Sequence, residues 1–181
     1  MTKQAPHCIG FAPNIDENCT HIVLGSMPSV ASLTAQQYYA HPHNRFWPLM
    51  SRILEHLPEP PSSYEERLAM LLRHHIALWD SIGTCDREGS LDSDIKNEQG
   101  NDFSVLLEKY PRIRVICFNG GKSFQCFKKY NHALLSRPDI RFYPLPSTSP
   151  ANARWKMEML VQEWRRALSP VSSLASEDHL S

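Results

Sequence analysis

Two asparagines, a run of three hydroxyls and a glycine-containing turn are the residues of this sequence best suited to handling a polar ligand. Asn44 lies in YYAHPHNRFW (residues 38–47) and Asn119 in FNGGK (residues 118–122). A side-chain amide carries one acceptor and two donors, so either can read the edge of a bound group. Each also has a plain structural use. Asn44 can cap a helix that begins with Phe46 and Trp47, and Asn119 can occupy a left-handed turn. Ser147, Thr148 and Ser149 in LPSTSPAN (residues 145–152) stand ahead of Pro150. Hydroxyls and free backbone N–H groups at a helix start suit a phosphate, though an ordinary capped turn has the same composition. Gly25, Ser26 and Met27 open GSMPS, a turn whose glycine admits close approach to a ligand. Lys122 either meets an anion or is solvated. Asp80 is the one carboxylate beside these turns, and its first reading is an acceptor bracing a loop. No carboxylate pair accompanies it, which disfavours two-acid glycosidase chemistry. His41 and His43 lack a third ligand at metal-binding spacing, so no metal is expected.

These turns follow short apolar runs. Residues 21–25 (HIVLG), 75–79 (HIALW), 113–118 (IRVICF) and 140–145 (IRFYPL) read as strands. Helical periodicity connects them. Residues 44–57 place Phe46, Leu49, Met50, Ile53 and Leu57 on one face. Further helices are expected from Ser62/Ser63 to about 74, over 102–110 and over 122–130. A last helix, capped by Ser149-Pro150, carries the stripe Met157, Leu160, Val161, Trp164 and Leu168. Residues 81–101, rich in Gly, Asp and Ser, read as a long loop. The pattern predicts an α/β fold, a small parallel sheet with helices on both faces. The site in such folds lies beyond the carboxyl ends of the strands, where all of these turns fall. One domain is expected over 1–168, with a polar, disordered tail over 169–181.

Composition sets the outer limits. The 181 residues carry 19 basic and 19 acidic side chains, so net charge announces no polyanion partner. The distribution is uneven, however. Residues 112–141 hold seven bases against Asp139, which leaves room for one positive face. Five cysteines at 8, 19, 85, 117 and 126 form no CxxC pair, so reduced thiols and neither a disulfide framework nor a metal cluster are expected. No apolar run approaches membrane-spanning length and no secretory leader is visible, which points to a cytoplasmic protein.

Taken in order, LGSMPSVASL, YYAHPHNRFW, IALWDSI with CDREGSLDSDI, VICFNGGKSFQCF and YPLPSTSPANA resemble the uracil-DNA glycosylase superfamily, and within it the hypoxanthine-DNA (deoxyinosine) glycosylase branch. HPHNRFW is also similar to a stretch of the mismatch-specific uracil/thymine glycosylases. The resemblance spans about residues 22–153. It implies a three-layer α/β/α sandwich with a central four-stranded parallel sheet. It also implies a monofunctional, cofactor-free enzyme that flips a deaminated base out of DNA and hydrolyses its N-glycosidic bond. Uracil-specific branches carry Asp or Asn two residues after the first-motif glycine, where this chain has Met27. A thioether cannot manage water in that way.

In the branch it most resembles, the catalytic asparagine matches Asn44. The resemblance then implies base contacts from Gly25, Ser26, Met27, Phe46 (stacking on the purine) and Asn119 (meeting O6 and N1–H together). Ser147, Thr148, Ser149 and Lys122 would hold DNA phosphates, with Arg87 and Ser90 as weaker candidates. Ala151 or Asn152 would enter the gap left in the base stack. The expected partner is DNA containing deaminated bases. No membrane or obligate protein partner is implied, and a monomer would suffice. The rival readings are a uracil glycosylase and a catalytically inactive DNA-binding module.

Overall fold

The computed structural model describes residues 3–171. Its centre is a four-stranded, all-parallel sheet built from β2 His21–Gly25, β3 Ile76–Asp80, β6 Val115–Asn119 and β7 Arg141–Leu145, in the order β3-β2-β6-β7. Burial on both faces explains the near-continuous apolar runs. Val23, Leu78, Val115 and Cys117 face one core, with Phe46, Trp47, Leu49, Met70, Leu160 and Trp164. Ile22, Leu24, Ala77, Ile116 and Phe118 face the other, with Phe103, Leu106 and Phe127. The first core is covered by α2 Phe46–Leu54, α3 Tyr64–Arg73 and α6 Met157–Ala167, the second by α4 Phe103–Lys109 and α5 Gly121–Tyr130. This is the expected three-layer sandwich. Side chains such as Phe46 and Trp164, at 0% exposure, each stabilise it by ~1.5–3 kcal/mol through burial alone.

Three local expectations differ from the structure. Residues 81–101 are not an irregular loop. They contain β4 Ile82–Asp86 and β5 Lys96–Gly100, which join β1 His7–Ile9 in an antiparallel sheet of order β1-β4-β5. β5 is KNEQG, with no apolar residue to announce it. It is specified by its pairing partner and by Gly100, where an added Cβ would lie 2.5 Å from the Tyr130 ring. A short α1, Val30–Ala35, follows the GSMPS turn and is capped by Ser29.

The last helix does not begin at Ser149-Pro150 but at Met157. The reason is tertiary. The Arg45 guanidinium donates to the carbonyls of Ser149 and Asn152 (both 3.0 Å) and to that of Trp155. The same Ser149 and Asn152 carbonyls accept the N–H groups of Asn152 (3.0 Å) and Trp155 (3.2 Å), so the segment is held as consecutive three-residue turns pinned by Arg45 and not as a helix. Of the expected C-terminal tail, residues 172–181 lie outside the described residues. Ser169 is tied down, its carbonyl 2.9 Å from the buried His21 Nε2.

Candidate active site

The carboxyl ends of the central strands open into one cavity of ≈590 Å³. Eleven of the fourteen residues given a catalytic, base or DNA contact from the sequence line it: Gly25, Ser26, Met27, Asn44, Ser90, Asn119, Ser147, Thr148, Ser149, Ala151 and Asn152. They come from five separate stretches of chain, four of them brought together by the parallel register.

At its centre, one threonine joins the two asparagines. Asn119 Oδ1 accepts from the Thr148 backbone N–H (2.9 Å), and Asn119 Nδ2 donates to Thr148 Oγ1 (3.0 Å). The Thr148 hydroxyl then donates to Asn44 Oδ1 (2.8 Å), which also accepts the Phe46 N–H (2.9 Å). Both lone pairs of Asn44 Oδ1 are thereby occupied. Backbone N–H groups donate only, so the orientation of both amides is determined. Asn44 Nδ2 makes no hydrogen bond among the described residues, and Asn44 presents donors, not an acceptor, to the cavity.

Several expected roles do not fit this geometry. Phe46 is fully buried and does not line the cavity. Tyr39 does, stacked on Phe46 with ring centroids 4.1 Å apart. The amphipathic period that put Phe46 in the core outranks its place in the motif. Asn119 cannot meet O6 and N1–H with one amide edge, because Thr148 already holds that edge. One N–H and one lone pair on opposite sides remain. Thr148 is at 0% exposure, with its hydroxyl committed to Asn44, so it is no phosphate contact. Ser147 and Ser149 fit better. Each Oγ accepts a backbone N–H, from Ser149 and Ala151 respectively, which leaves the hydroxyl hydrogen to donate outward.

Asn152 is turned inward, Nδ2 to the Ser147 carbonyl (3.0 Å), which leaves Ala151 at the exposed tip. Lys122 is outside the cavity, 3.9 Å from Glu98. Arg87 is 2% exposed, its guanidinium on the Pro28 carbonyl, and Ser90 Oγ accepts from the Val30 N–H (2.9 Å). Arg87 is buried and not free for DNA, whereas Ser90 is exposed, lines the cavity and keeps its hydroxyl hydrogen free to donate.

Sequence reasoning missed two contributors, Arg45 and Tyr39, and read a third, Asp80, only as a loop brace. Arg45 clamps the 149–155 turn onto the start of α2. Tyr39, at φ 54°, holds a conformation that is costly for a bulky side chain. Asp80 lies on the cavity wall at 4% exposure. Burial, opposed by Arg87 and reinforced by Asp92, pushes the Asp80 carboxyl up to about 7. All three sit inside quoted motifs, but no spacing rule separates them from their neighbours.

A family model described as the uracil DNA glycosylase superfamily matches residues 12–169. A protein of Methanosarcina acetivorans named hypoxanthine DNA glycosylase is 42% identical over 147 residues, 81% of this chain and 89% of that one. A Methanosarcina barkeri protein of the same name is 44% identical over 115 residues, 63% of this chain and 72% of its own. The solution NMR structure of a Methanosarcina acetivorans protein, provisionally named a uracil DNA glycosylase, is similar with a TM-score of 0.75 and 38% identity. The match covers 90% of this chain and 97% of that one.

Proposed function

Because the chain belongs to the uracil DNA glycosylase superfamily, we propose that it removes hypoxanthine from deoxyinosine in DNA by hydrolysing the N-glycosidic bond. The observation that carries this reading is the locked Asn44. The motif position where uracil-specific relatives keep Asp or Asn holds Met27, while Asn44 turns two unspent N–H donors into the same cavity. The name of the two curated relatives supports hypoxanthine as the base.

In hydrolysis, a water oxygen attacks C1′ and the C1′–N9 bond breaks. Its electron pair moves onto the purine, the water's proton passes to solvent, and the released purine takes one up at nitrogen, so that one water is added overall. Negative charge therefore gathers on the departing base. Pre-aimed donors are worth most at such a place, in a cavity largely cleared of water. Asn44 Nδ2 suits either that charge or a lone pair of the water. It does not suit taking the proton, since its oxygen is saturated. The purine must leave the stack to enter, at a cost of a few kcal/mol that is smallest for a mispaired base. Phosphate contacts offset part of it, and the free hydroxyl hydrogens of Ser147 and Ser149 are the best-placed donors. Small Ala151 at the loop tip supports weak prying of the duplex, because wedges are usually large and apolar. One extruded nucleotide fits one cavity, so the working unit is a monomer on DNA. Among the described residues no helix is long and apolar enough to cross a membrane.

The test is release of base from oligonucleotides carrying hypoxanthine, xanthine or uracil, single- and double-stranded, read as alkali-labile abasic sites. Hypoxanthine is expected to be the fastest. Uracil faster than hypoxanthine would install the rival uracil reading, and no abasic sites from any of them would leave a DNA-binding module. Asn44→Ala is expected to lower the rate ~10²–10³-fold, the usual loss for a transition-state donor, with substrate binding little changed. Near wild-type cleavage would remove Asn44 from the chemistry.

A further inference from the structure

The sequence reading of Asp80 as a loop-bracing acceptor fails on its geometry. Its Oδ2 is buried without a hydrogen-bond partner. The neighbouring loop is held by the Asp80 backbone carbonyl, which accepts Asn101 Nδ2 (2.8 Å). Arg87 is the compensating charge, yet only Nη2 of its guanidinium is bonded, to the Pro28 carbonyl; Nε and Nη1 are themselves buried without a hydrogen-bond partner, and Arg87 forms no ion pair among the described residues. An unpartnered carboxylate this deep is costly to keep, and a structural role does not account for it.

The sheet register shows where the carboxylate faces. Gly25 pairs with Asp80, and the Leu24–Phe118 pairing brings Asn119 alongside Gly25 on its other side. All three strand ends present the same face, ~5 Å apart from strand to strand. Asp80 and Asn119 thus flank a position with no side chain. A Cβ on Gly25 would lie 2.5 Å from Asp80 Oδ1 and 2.9 Å from the Tyr39 hydroxyl, itself buried without a hydrogen-bond partner, so glycine makes the room that both groups occupy and an added side chain would shut the carboxylate off. All of these residues line the cavity. Across this floor run a donor, the Asn119 N–H not taken by Thr148, which lies toward the Tyr39 hydroxyl, then the side-chain-free Gly25, then an acceptor.

Hypoxanthine presents the complement along one edge: O6 as acceptor, then N1–H as donor. Adenine presents the reverse at both atoms, an amino donor and a bare N1. The two bases are otherwise alike, so an enzyme on this substrate must tell them apart there. An amide can rotate to suit either pattern, whereas an ionised carboxylate only accepts. Resting on the hypoxanthine reading above, we propose that Asp80 selects the flipped base. Its carboxylate accepts the N1–H of a 6-oxopurine through the opening over Gly25, while Asn119 donates to O6. A carboxyl raised to about 7 by burial ionises readily at neutral pH once that donor arrives. The departing purine keeps its N1 proton, so this contact selects the base and leaves stabilisation of the leaving group to Asn44 and Asn119.

The experiment compares oligonucleotides carrying deoxyinosine and 1-deaza-deoxyinosine, in which C–H replaces N1–H at nearly constant shape. Both are given to the wild type, Asp80→Leu and Asp80→Asn, and kcat/KM is measured. The wild type is expected to prefer deoxyinosine by ~10–100-fold, the usual loss of a hydrogen bond to a charged group. The preference should collapse toward unity in Asp80→Leu and stay intermediate in Asp80→Asn, which keeps an acceptor of the same size. A merely structural Asp80 would slow both substrates equally and leave their ratio intact, and that result overturns the proposal. So does a wild type indifferent to the deaza substitution, a test that needs no variant to fold. A wild type inert on deoxyinosine but active on uracil defeats the hypoxanthine reading itself and takes this proposal with it.

Discussion

Replacing Asp80 by Asn should stabilise the protein at alkaline pH and do much less at acid pH. In the unfolded chain the carboxyl titrates at its ordinary value of 3.8; in the folded protein burial raises it to about 7. The folded state therefore binds the proton more tightly across that window. Stability is full below about pH 4 and is lost as pH rises through about 7, because the folded protein must then hold an ionised, poorly compensated carboxylate. A tenfold difference in proton affinity between the two states is worth about 1.4 kcal/mol, so the total loss at pH 8 is about 4 kcal/mol, of which about 2–3 kcal/mol falls between pH 5 and pH 8. Arg87 reduces the effect and Asp92 enlarges it, while the buried hydroxyls of Tyr38, Tyr39 and Tyr64 stay neutral throughout. Asparagine has the same shape and no charge to bury.

The assay is the difference in unfolding temperature between Asp80→Asn and wild type, measured at pH 5 and pH 8 so that all other groups cancel. The gain at pH 8 should exceed that at pH 5 by roughly 5–10 °C for a chain of this size. Equal differences at the two pH values would refute the reasoning and show that the carboxylate is compensated in the folded state.

Two further outcomes test the site's internal wiring. Thr148→Val should remove the link between Asn119 and Asn44 at constant shape, leaving the buried Asn119 Nδ2 without its acceptor and the half-buried Asn44 Oδ1 with one donor fewer. About 1–3 kcal/mol of stability and at least tenfold in single-turnover rate should be lost, with Thr148→Ser restoring both. Gly25→Ala should cut cleavage on the order of 10²-fold while circular dichroism stays unchanged, since a Cβ 2.5 Å from Asp80 Oδ1 displaces the cavity floor. Wild-type turnover by Gly25→Ala would show that nothing is read through that opening.

The four central strands, the two-sided core and the amphipathic helices follow from the order of residues alone. Apolar runs such as IVLG and VICF, and stripes such as Leu160–Trp164, are local patterns that any compact burial must satisfy. The gathering of GSMPS, HNRFW, FNGG and PSTSP at one end is equally determined, because parallel strands place every carboxyl-end turn on the same edge. What sequence does not specify is where each side chain's hydrogen bonds go. The 149–155 turn has helix-starting composition, yet it is a series of short turns pinned through its carbonyls by Arg45, more than 100 positions earlier. Phe46 has the ring expected of a base platform but belongs to the core, and Tyr39 faces the cavity in its place. Strand β5, all polar, exists only because β4 pairs with it. Asp80 looks like any loop acid until the register sets it beside Gly25 with no partner. Hydrogen bonding and burial are properties of distant groups meeting, and which groups meet is decided only when the whole chain has closed around its core.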